Sequence, residues 1–527
     1  MTRPTKLMVL VAVLGLVLAG CGGDTAETTT TTAAPTTTQA GGGETTTTQA
    51  EEPPVSVRDT FSMTIGEEPP SLDIVTTSSA ATMRVLMYNV LETIVEVDPV
   101  TKEVTPGLAE SWEVSDDQLT YTFTIREGAT FSDGTPVLAS DVVFSLEAKR
   151  SEEAIGARRN EMAPVDTITA IDDRTVEVVL STPSIRWLLL MAEIGGAVFA
   201  ESSYPDIALN PIGSGPFMID SWVSGDRITL VPNPHWNGEG PYLSRVDMLF
   251  IDDLTASINA LLSGQIDAIW NLRGQRERIP ELEAAGFTVD ITATQQLAPL
   301  VFNVTEEPFT DIRVRQAVAH AIDKQGIIDA FDGGFADVVH SWVSPNDPWW
   351  DGNFNPYPYD PDRARELLAE AGYPDGLTFE LSVISNNPSG EIGELVALML
   401  SQVGITAELK YMDVAVFLDE VAGQGRHVAG IVRSATDLER WTGPMGWHSW
   451  WDNAEYDELV LGSDSAPTFE EFVDMRRQAT YIFGEELPAV IISAGQNMAV
   501  FPPGLEGWIY HKRDTQENDV RLARWTE

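Results

Sequence analysis

The chain has 527 residues, of which 43% are hydrophobic and 14 are tryptophan, enough to build a large core divided between two or more lobes. Its 80 acidic and 32 basic residues give a formal net charge of −48. This charge excludes a nucleic-acid partner, because the phosphates would be repelled, and it keeps the protein soluble.

The N-terminal segment has the pattern of an export signal. Arg3 and Lys6 precede an apolar run over residues 7–18 that is too short to span a bilayer. Leu18-Ala19-Gly20-Cys21 follows and resembles the lipobox of bacterial lipoproteins, in which the thiol is linked to diacylglycerol. We therefore expect residues 1–21 to be a lipoprotein signal whose Cys21 carries the lipid anchor. The exported protein would then lie at the outer face of the cytoplasmic membrane or in the periplasm. The alternative is an ordinary signal peptide that ends near a cysteine.

Cys21 is also the only cysteine of the chain. Once its thiol carries lipid, none remains for a disulfide, an iron–sulfur cluster or a cysteine nucleophile. Residues 22–54 contain Thr, Gly, Ala, Gln and Glu but no aromatic or large aliphatic residue, so they have nothing to bury against the entropy of ordering. This composition predicts a disordered stalk. The sequence is compatible with a glycosylated stalk and with an unmodified one.

Beyond the stalk, apolar periodicity predicts strands and helices in turn. Alternation predicts strands at Leu119, Tyr121, Phe123 and Ile125, and at Val176, Val178 and Leu180. Helical spacing predicts helices at Val314, Ala317, Val318, Ala321 and Ile322, and at Ala364, Leu367, Leu368 and Ala371 behind an Asp360-Pro361 cap. Residues 377–432 then give strand (377–383), helix (392–403), strand (405–411), a helix from Asp413, and strand (428–432).

The order of predicted strands and helices differs between the earlier and later parts of the chain. Strands alternating with helices indicate a covered parallel or mixed sheet, whereas the earlier part is rich in strands and Gly/Pro turns and indicates more antiparallel pairing. The sequence therefore predicts an α/β protein with two lobes and a cleft between them.

The motifs of several enzyme classes are missing. The sequence has no phosphate-binding glycine loop, no His-Glu-x-x-His and no nucleophile elbow. The histidines are scattered, without metal-ligand spacing, at His235, His320, His340, His427, His448 and His511. We expect no enzyme activity, no cofactor and no metal, although an extracellular cleft hydrolase is kept as an alternative.

Ordered sequence blocks along the body resemble family 5 extracellular solute-binding proteins, the receptors of ABC importers. The blocks are residues 108–117, 121–128, 131–136, 141–146, 213–217, 261–267, 308–323 and 359–376. The resemblance implies a two-lobed periplasmic-binding-protein-like fold of class II, in its enlarged peptide-binding type. It places lobe I at residues 55–294 plus 489–527 and lobe II at 295–488, with crossing strands near residues 295–303 and 485–493.

The same resemblance implies a function. A monomeric receptor captures a small solute in the cleft, closes around it by a hinge motion, and delivers it to the permease subunits of an ABC transporter. We expect the solute to be a peptide. An oligosaccharide, an opine-like conjugate and a chelated metal are the alternatives.

Two features predict the binding residues. In peptide-binding members of the family, an acid late in the second lobe pairs with the peptide's α-amino group. Asp437 aligns with that acid, although the tyrosine and the Asp-Pro of the motif are absent, and a solvated loop acid is the alternative interpretation. The loop beyond Asp437 is crowded with aromatic rings that can stack on a ligand or cover the lobe interior. These rings are Trp441, Trp447, His448, Trp450 and Trp451, and a second group comprises Trp342, Trp349 and Trp350.

Overall fold

The structure is a computed structural model, and it describes residues 58–98, 103–272, 275–385, 388–432, 434–443, 449–510 and 518–526. The predicted signal segment with Cys21, the predicted stalk, Trp447 and His448 all lie outside the described residues.

The strands follow one another along the whole body. They are β1 (Thr60–Thr64), β2 (Val95–Val97), β3 (Val104–Pro106), β4 (Ala109–Val114), β5 (Thr120–Ile125), β6 (Val165–Ala170), β7 (Thr175–Leu180), β8 (Phe217–Val223), β9 (Arg227–Pro232), β10 (Arg245–Leu249), β11 (Ala268–Ile269), β12 (Thr288–Phe302), β13 (Ala336–Asp337), β14 (Leu377–Ile384), β15 (Ile405–Met412), β16 (Ala429–Ile431), β17 (Ser434–Ala435), β18 (Ala489–Phe501), β19 (Leu505–Glu506) and β20 (Arg524–Trp525).

Helices separate many of these strands. They are α1 (Ala80–Leu86), α2 (Ala139–Arg150), α3 (Gly156–Glu161), α4 (Ile185–Leu190), α5 (Leu254–Leu262), α6 (Ile279–Ala284), α7 (Ile312–Ala321), α8 (Lys324–Phe331), α9 (Pro361–Glu370), α10 (Pro388–Ser401), α11 (Val414–Phe417), α12 (Ala454–Ser463) and α13 (Phe469–Glu486).

A twelve-stranded sheet runs through the described part of the molecule in the order β15-β14-β16-β12-β18-β11-β1-β10-β9-β8, with β13 beside β18 and β17 beside β12. Its centre is the antiparallel pair of long strands β12 and β18, which pair from Thr288 opposite Phe501 to Val301 opposite Ala489. The pairing is interrupted by irregularities between Ala293 and Leu297. One end of the β12–β18 pair therefore adjoins the strands β14, β15 and β16. The other end adjoins the strands β11, β1, β10, β9 and β8.

The β14–β16 group has the predicted crossover architecture. Strand β14 pairs in parallel with both β15 and β16, and the buried face of α10 covers them with Ile392, Val396 and Leu400. The predicted cap of α9 is also confirmed: the Asp360 side chain accepts a hydrogen bond from the backbone N–H of Arg363, and proline occupies the first helical turn. The helix predicted from Asp413 is short, because α11 gives way to a π-helical turn at Leu418–Gly423.

The earlier part of the chain is largely antiparallel, as predicted. A separate four-stranded sheet has the order β4-β5-β7-β6, and β5 buries Tyr121, Phe123 and Ile125 on one face. Helix α4 packs on this face, since the indole of Trp187 lies 5.0 Å from the Tyr121 ring and 6.2 Å from the Phe123 ring. In the described part of the chain, no helix is long and apolar enough to cross a membrane.

Candidate functional site

The predicted acid Asp437 lies on a turn held against the central strands. Strand β17 pairs with β12, with Ala435 opposite Gln296, and a 3-10 helical turn at Leu438–Trp441 follows directly. The hydroxyl of Tyr456 donates a hydrogen bond of 2.9 Å to the backbone carbonyl of Leu438. The turn is therefore fixed on both sides, and we call residues 437–442 the acidic turn.

The 3-10 geometry sorts the side chains of the acidic turn into three columns. Such a helix has three residues per turn, so side chains three positions apart lie above one another. One column holds Leu438 and Trp441, a second begins with Glu439, and the third holds Asp437 and Arg440. Each column has a different environment.

The first column is part of the hydrophobic core. Leu438 and Trp441 are both fully buried, and the Trp441 ring lies 4.7 Å from the Phe483 ring and 5.0 Å from the Trp342 ring. Sequence reasoning placed Trp441 on a cleft-facing loop, but protein atoms cover its ring. Trp441 is therefore a core residue of the structure, and its covered ring offers no face to a ligand.

The remaining predicted aromatic residues have mixed positions. Trp451 is buried beside Trp441, and its indole N–H donates a 2.6 Å hydrogen bond to Glu486. Trp450 is only partly buried, and its indole packs directly against the backbone of Gly425. In the second group, Trp342 and Trp349 are buried and Trp350 is 39% exposed.

The second column joins the acidic turn to helices α4 and α13. Glu439 accepts a 2.6 Å hydrogen bond from Arg186 of α4 and a further one from Arg476 of α13. Arg476 also lies 3.5 Å from Asp464, whose backbone carbonyl accepts a 2.9 Å hydrogen bond from the N–H of Ile185. Burial alone would raise the pKa of Glu439, but the two arginines hold that pKa well below its usual range. Glu439 is therefore a charged structural carboxylate.

The third column contains an acid and an arginine in a looser contact. The closest approach of Asp437 to Arg440 is 3.7 Å, between Oδ2 and Nε, and their side chains are 19% and 13% exposed. No donor among the described residues bonds to the buried Oδ1 of Asp437. Burial, and then the neighbouring Glu439, raise the pKa of Asp437, while burial lowers the pKa of Arg440 against the attraction of Asp437. Oδ1 of Asp437 can therefore gain a hydrogen bond from a ligand.

A buried polar group supports the base of the acidic turn. Asp347 accepts hydrogen bonds from the backbone N–H of Ser344 at 2.7 Å and from the Gln295 side chain on β12 at 3.2 Å. Burial raises the pKa of Asp347 to about 7, although these hydrogen bonds oppose the shift. The side chain of Thr436, the residue before Asp437, also interacts with this carboxyl group. The acidic turn is therefore tied to the irregular segment of β12.

The sequence pointed to Asp437 but not to the charged residues around it. Single charged residues are common in so acidic a chain, so no sequence pattern distinguishes Arg186, Glu439, Arg440, Asp464 and Arg476. One signal was available in α4, whose sequence IRWLLL contains a single charged residue among apolar ones. No group of three or more metal-ligating side chains occurs among the residues that the structure describes.

Comparison with known proteins identifies the family. The family described as bacterial extracellular solute-binding proteins, family 5 Middle, matches residues 103–460, more than half of the chain. The glutathione-binding protein GsiB of Salmonella paratyphi A is 26% identical over 428 residues, which cover 76% of this chain and 83% of GsiB.

Solved structures show the same fold. HbpA2 from Haemophilus parasuis superposes with a TM-score of 0.81 at 21% identity, over 89% of this chain and 100% of HbpA2. The periplasmic binding protein DppA from Helicobacter pylori, in complex with the peptide STSA, gives a TM-score of 0.70 at 22% identity, over 89% of this chain and 99% of DppA. The predicted two-lobed α/β fold is thereby confirmed, and the chain belongs to family 5 of the bacterial extracellular solute-binding proteins, which serve ABC transporters.

Proposed function

We propose that this solute-binding protein captures a short peptide and that Asp437 binds the peptide's α-amino group. The observation that carries this proposal is the buried Oδ1 of Asp437, to which no described donor bonds. An ammonium group is the complementary donor, because a buried carboxylate is stable only when it is paired and hydrogen-bonded. Glutathione and the peptide STSA, the ligands named for GsiB and DppA, both carry such an amino group.

The fold supports capture by hinge closure. We divide the chain into lobe I, residues 55–294 plus 489–527, and lobe II, residues 295–488. The division falls inside the long strand β12 and immediately before β18, and the two places where the chain crosses between lobes can serve as the hinge. Ligand bound to one lobe then favours the closed form through contacts with the other lobe.

The position of the receptor in the cell is also a proposal. We place it outside the cytoplasmic membrane as a lipid-anchored monomer held by Cys21, from which it delivers ligand to the permease without turnover. The tether rests on the lipobox-like Leu18-Ala19-Gly20-Cys21.

A peptide suits the acidic turn better than an oligosaccharide does. Stacking on sugar rings requires exposed indole faces, and those of Trp441 and Trp342 are covered by core side chains. Charged groups, by contrast, are concentrated at Asp437 and its neighbours, where an ionic ligand can be recognised.

Calorimetry with paired peptides tests the proposal. A set of di- to pentapeptides is titrated with free and with acetylated N-termini into wild type, Asp437→Asn and Asp452→Asn. Asp452 is an exposed acid farther along the same segment and serves as the matched control. We expect acetylation and Asp437→Asn each to weaken binding at least a hundredfold, because either change leaves a buried charge unpaired, and Asp452→Asn to have little effect. Tight binding of a neutral oligosaccharide, with no response to any peptide, would overturn the proposal.

A further inference from the structure

Three ionisable side chains form a cluster in the interior of the antiparallel part of the chain, which we call the buried ionic cluster. They are Lys149 at the end of α2 and Arg158 and Glu161 of α3, with exposed fractions of 0%, 0% and 3%. The Nζ of Lys149 donates a hydrogen bond to the backbone carbonyl of Ala197, which follows the 3-10 turn Ile194–Gly196. Side chains of these types are fully buried almost only when they are paired. The partners of each group therefore have to be identified.

Arg158 has more donors than partners. Its Nη1 donates hydrogen bonds to both carboxyl oxygens of Glu161, the one to Oε2 being 2.7 Å long. Its Nε and Nη2 are also buried, yet no acceptor among the described residues bonds to them. A buried donor without an acceptor loses the hydrogen bond to water that it makes in the unfolded chain. The Nε–Nη2 edge of Arg158 therefore needs an acceptor that the described residues do not supply.

The buried ionic cluster offers little negative charge to this edge. Its one carboxyl group is that of Glu161, and burial raises the pKa of this carboxyl, which favours its uncharged form. Burial lowers the pKa of Lys149 to about 7, so its amine is only partly charged near neutral pH. The guanidinium of Arg158, by contrast, keeps its charge in proteins. Whichever protonation states Glu161 and Lys149 adopt, the Nε–Nη2 edge of Arg158 lacks an acceptor.

We propose that the buried ionic cluster binds one small monovalent anion, a halide ion, at the Nε–Nη2 edge of Arg158. The ion accepts hydrogen bonds from both nitrogens, which project as parallel donors from the planar guanidinium. It also brings negative charge to Lys149, which interacts electrostatically with Arg158 and Glu161. An ordered water molecule can accept the same hydrogen bonds, but it brings no charge to the two basic groups.

Burial determines the size and charge of the ion. Because the side chains of Arg158 and Lys149 are 0% exposed, a solute with a carboxylate or phosphate group cannot reach them while its remaining atoms stay in solvent. A multivalent ion would lose more hydration energy on entering the interior than a monovalent one does. The inference concerns a site other than the acidic turn and does not depend on the proposed function.

Bromide tests the inference, because it scatters X-rays anomalously and replaces chloride. Wild-type protein is purified and crystallised in sodium gluconate and then transferred to sodium bromide. We expect an anomalous peak within hydrogen-bonding distance of Nε and Nη2 of Arg158. In solution, gluconate is replaced stepwise by bromide at constant ionic strength, and the melting temperature should rise and then level off. At a bromide concentration ten times Kd, the ratio of folded to unfolded protein should increase about elevenfold.

Two variants assign the response to this site. The double substitution Arg158→Met and Glu161→Met removes both members of the ion pair, so neither charge is left without the other, and it should abolish the bromide response. Arg159→Gln changes the exposed arginine next to Arg158 on the same helix and should leave the response intact. An ordered water alone at the Arg158 edge of the wild-type crystals, with no bromide peak, overturns the inference. A bromide response that persists in the double variant overturns it as well.

Discussion

The ion pairs of Glu439 give a prediction whose size follows from the structure. The substitution Glu439→Gln keeps the shape of the side chain but removes the charge that Arg186 and Arg476 share. Breaking a buried pair by removing one partner costs about 3–5 kcal/mol, because the remaining charge is left buried and uncompensated.

The expected loss lies at the lower end of this range for two reasons. The Glu439 side chain retains 24% exposure. Asp464 lies 3.5 Å from Arg476 and still compensates part of the positive charge of that arginine. We therefore expect the free energy of unfolding to fall by about 3 kcal/mol. The control is Glu366→Gln, since Glu366 pairs with Arg363 at 2.9 Å but is 66% exposed. An exposed pair of this kind contributes about 0–1 kcal/mol.

Urea denaturation gives the free energy of unfolding of both variants and of wild type. An unchanged slope of this free energy against urea concentration shows that the unfolded state is the same in all three. The effect also has a pH signature. The arginines hold the pKa of Glu439 well below its usual range, so the stabilisation is present above the unfolded-state pKa of about 4.3 and is lost as the pH falls through the lower folded-state pKa. If Glu439→Gln were no more destabilising than Glu366→Gln, the assignment of a charged structural role to Glu439 would be wrong.

Three further changes have defined outcomes. Because burial and Glu439 raise the pKa of Asp437, an ammonium ligand should displace a proton from Asp437 and bind more tightly as the pH rises; calorimetry in buffers of different ionisation enthalpy should show proton release, and zero release would contradict the shift. Trp441→Ala should cost about 3–5 kcal/mol as a core cavity, seen by thermal unfolding, whereas Trp350→Ala, at a ring that is 39% exposed, should cost far less; equal losses would contradict the core position of Trp441. Cys21→Ser should release folded protein from the membrane fraction, and continued retention of that variant would refute the lipid anchor.

Local signals made the scaffold predictable from sequence. The start of α9 needs only residues that are adjacent in the chain, an Asp360 side chain that caps the helix and a proline in its first turn. The parallel strands β14 and β15 likewise follow from apolar runs of fitting length separated by a helix. Each of these features depends on short-range chemistry, which a single sequence displays in full.

The site depends on contacts that no local pattern displays. Arg186 and Glu439 are 253 residues apart, and they meet only in the folded chain, where α4 packs on the four-stranded sheet. The position of Trp441 was missed for another reason. Leu438 and Trp441 have the three-residue spacing of a 3-10 turn, which differs from the helical and strand periods. The spacing of three residues between Leu438 and Trp441 was therefore the sequence signal for a buried Trp441 ring.

The column arrangement explains how the ligand chemistry can change while the fold stays the same. Leu438 and Trp441 anchor the turn in the core, and Glu439 ties it to the arginines of α4 and α13. Asp437 and Arg440 lie outside the apolar column, although a side-chain hydrogen bond joins Asp437 to Glu439. This chain lacks the tyrosine and the Asp-Pro of the peptide-binding motif yet has an acid at Asp437, which fits the proposal that the ligand is recognised outside the apolar column.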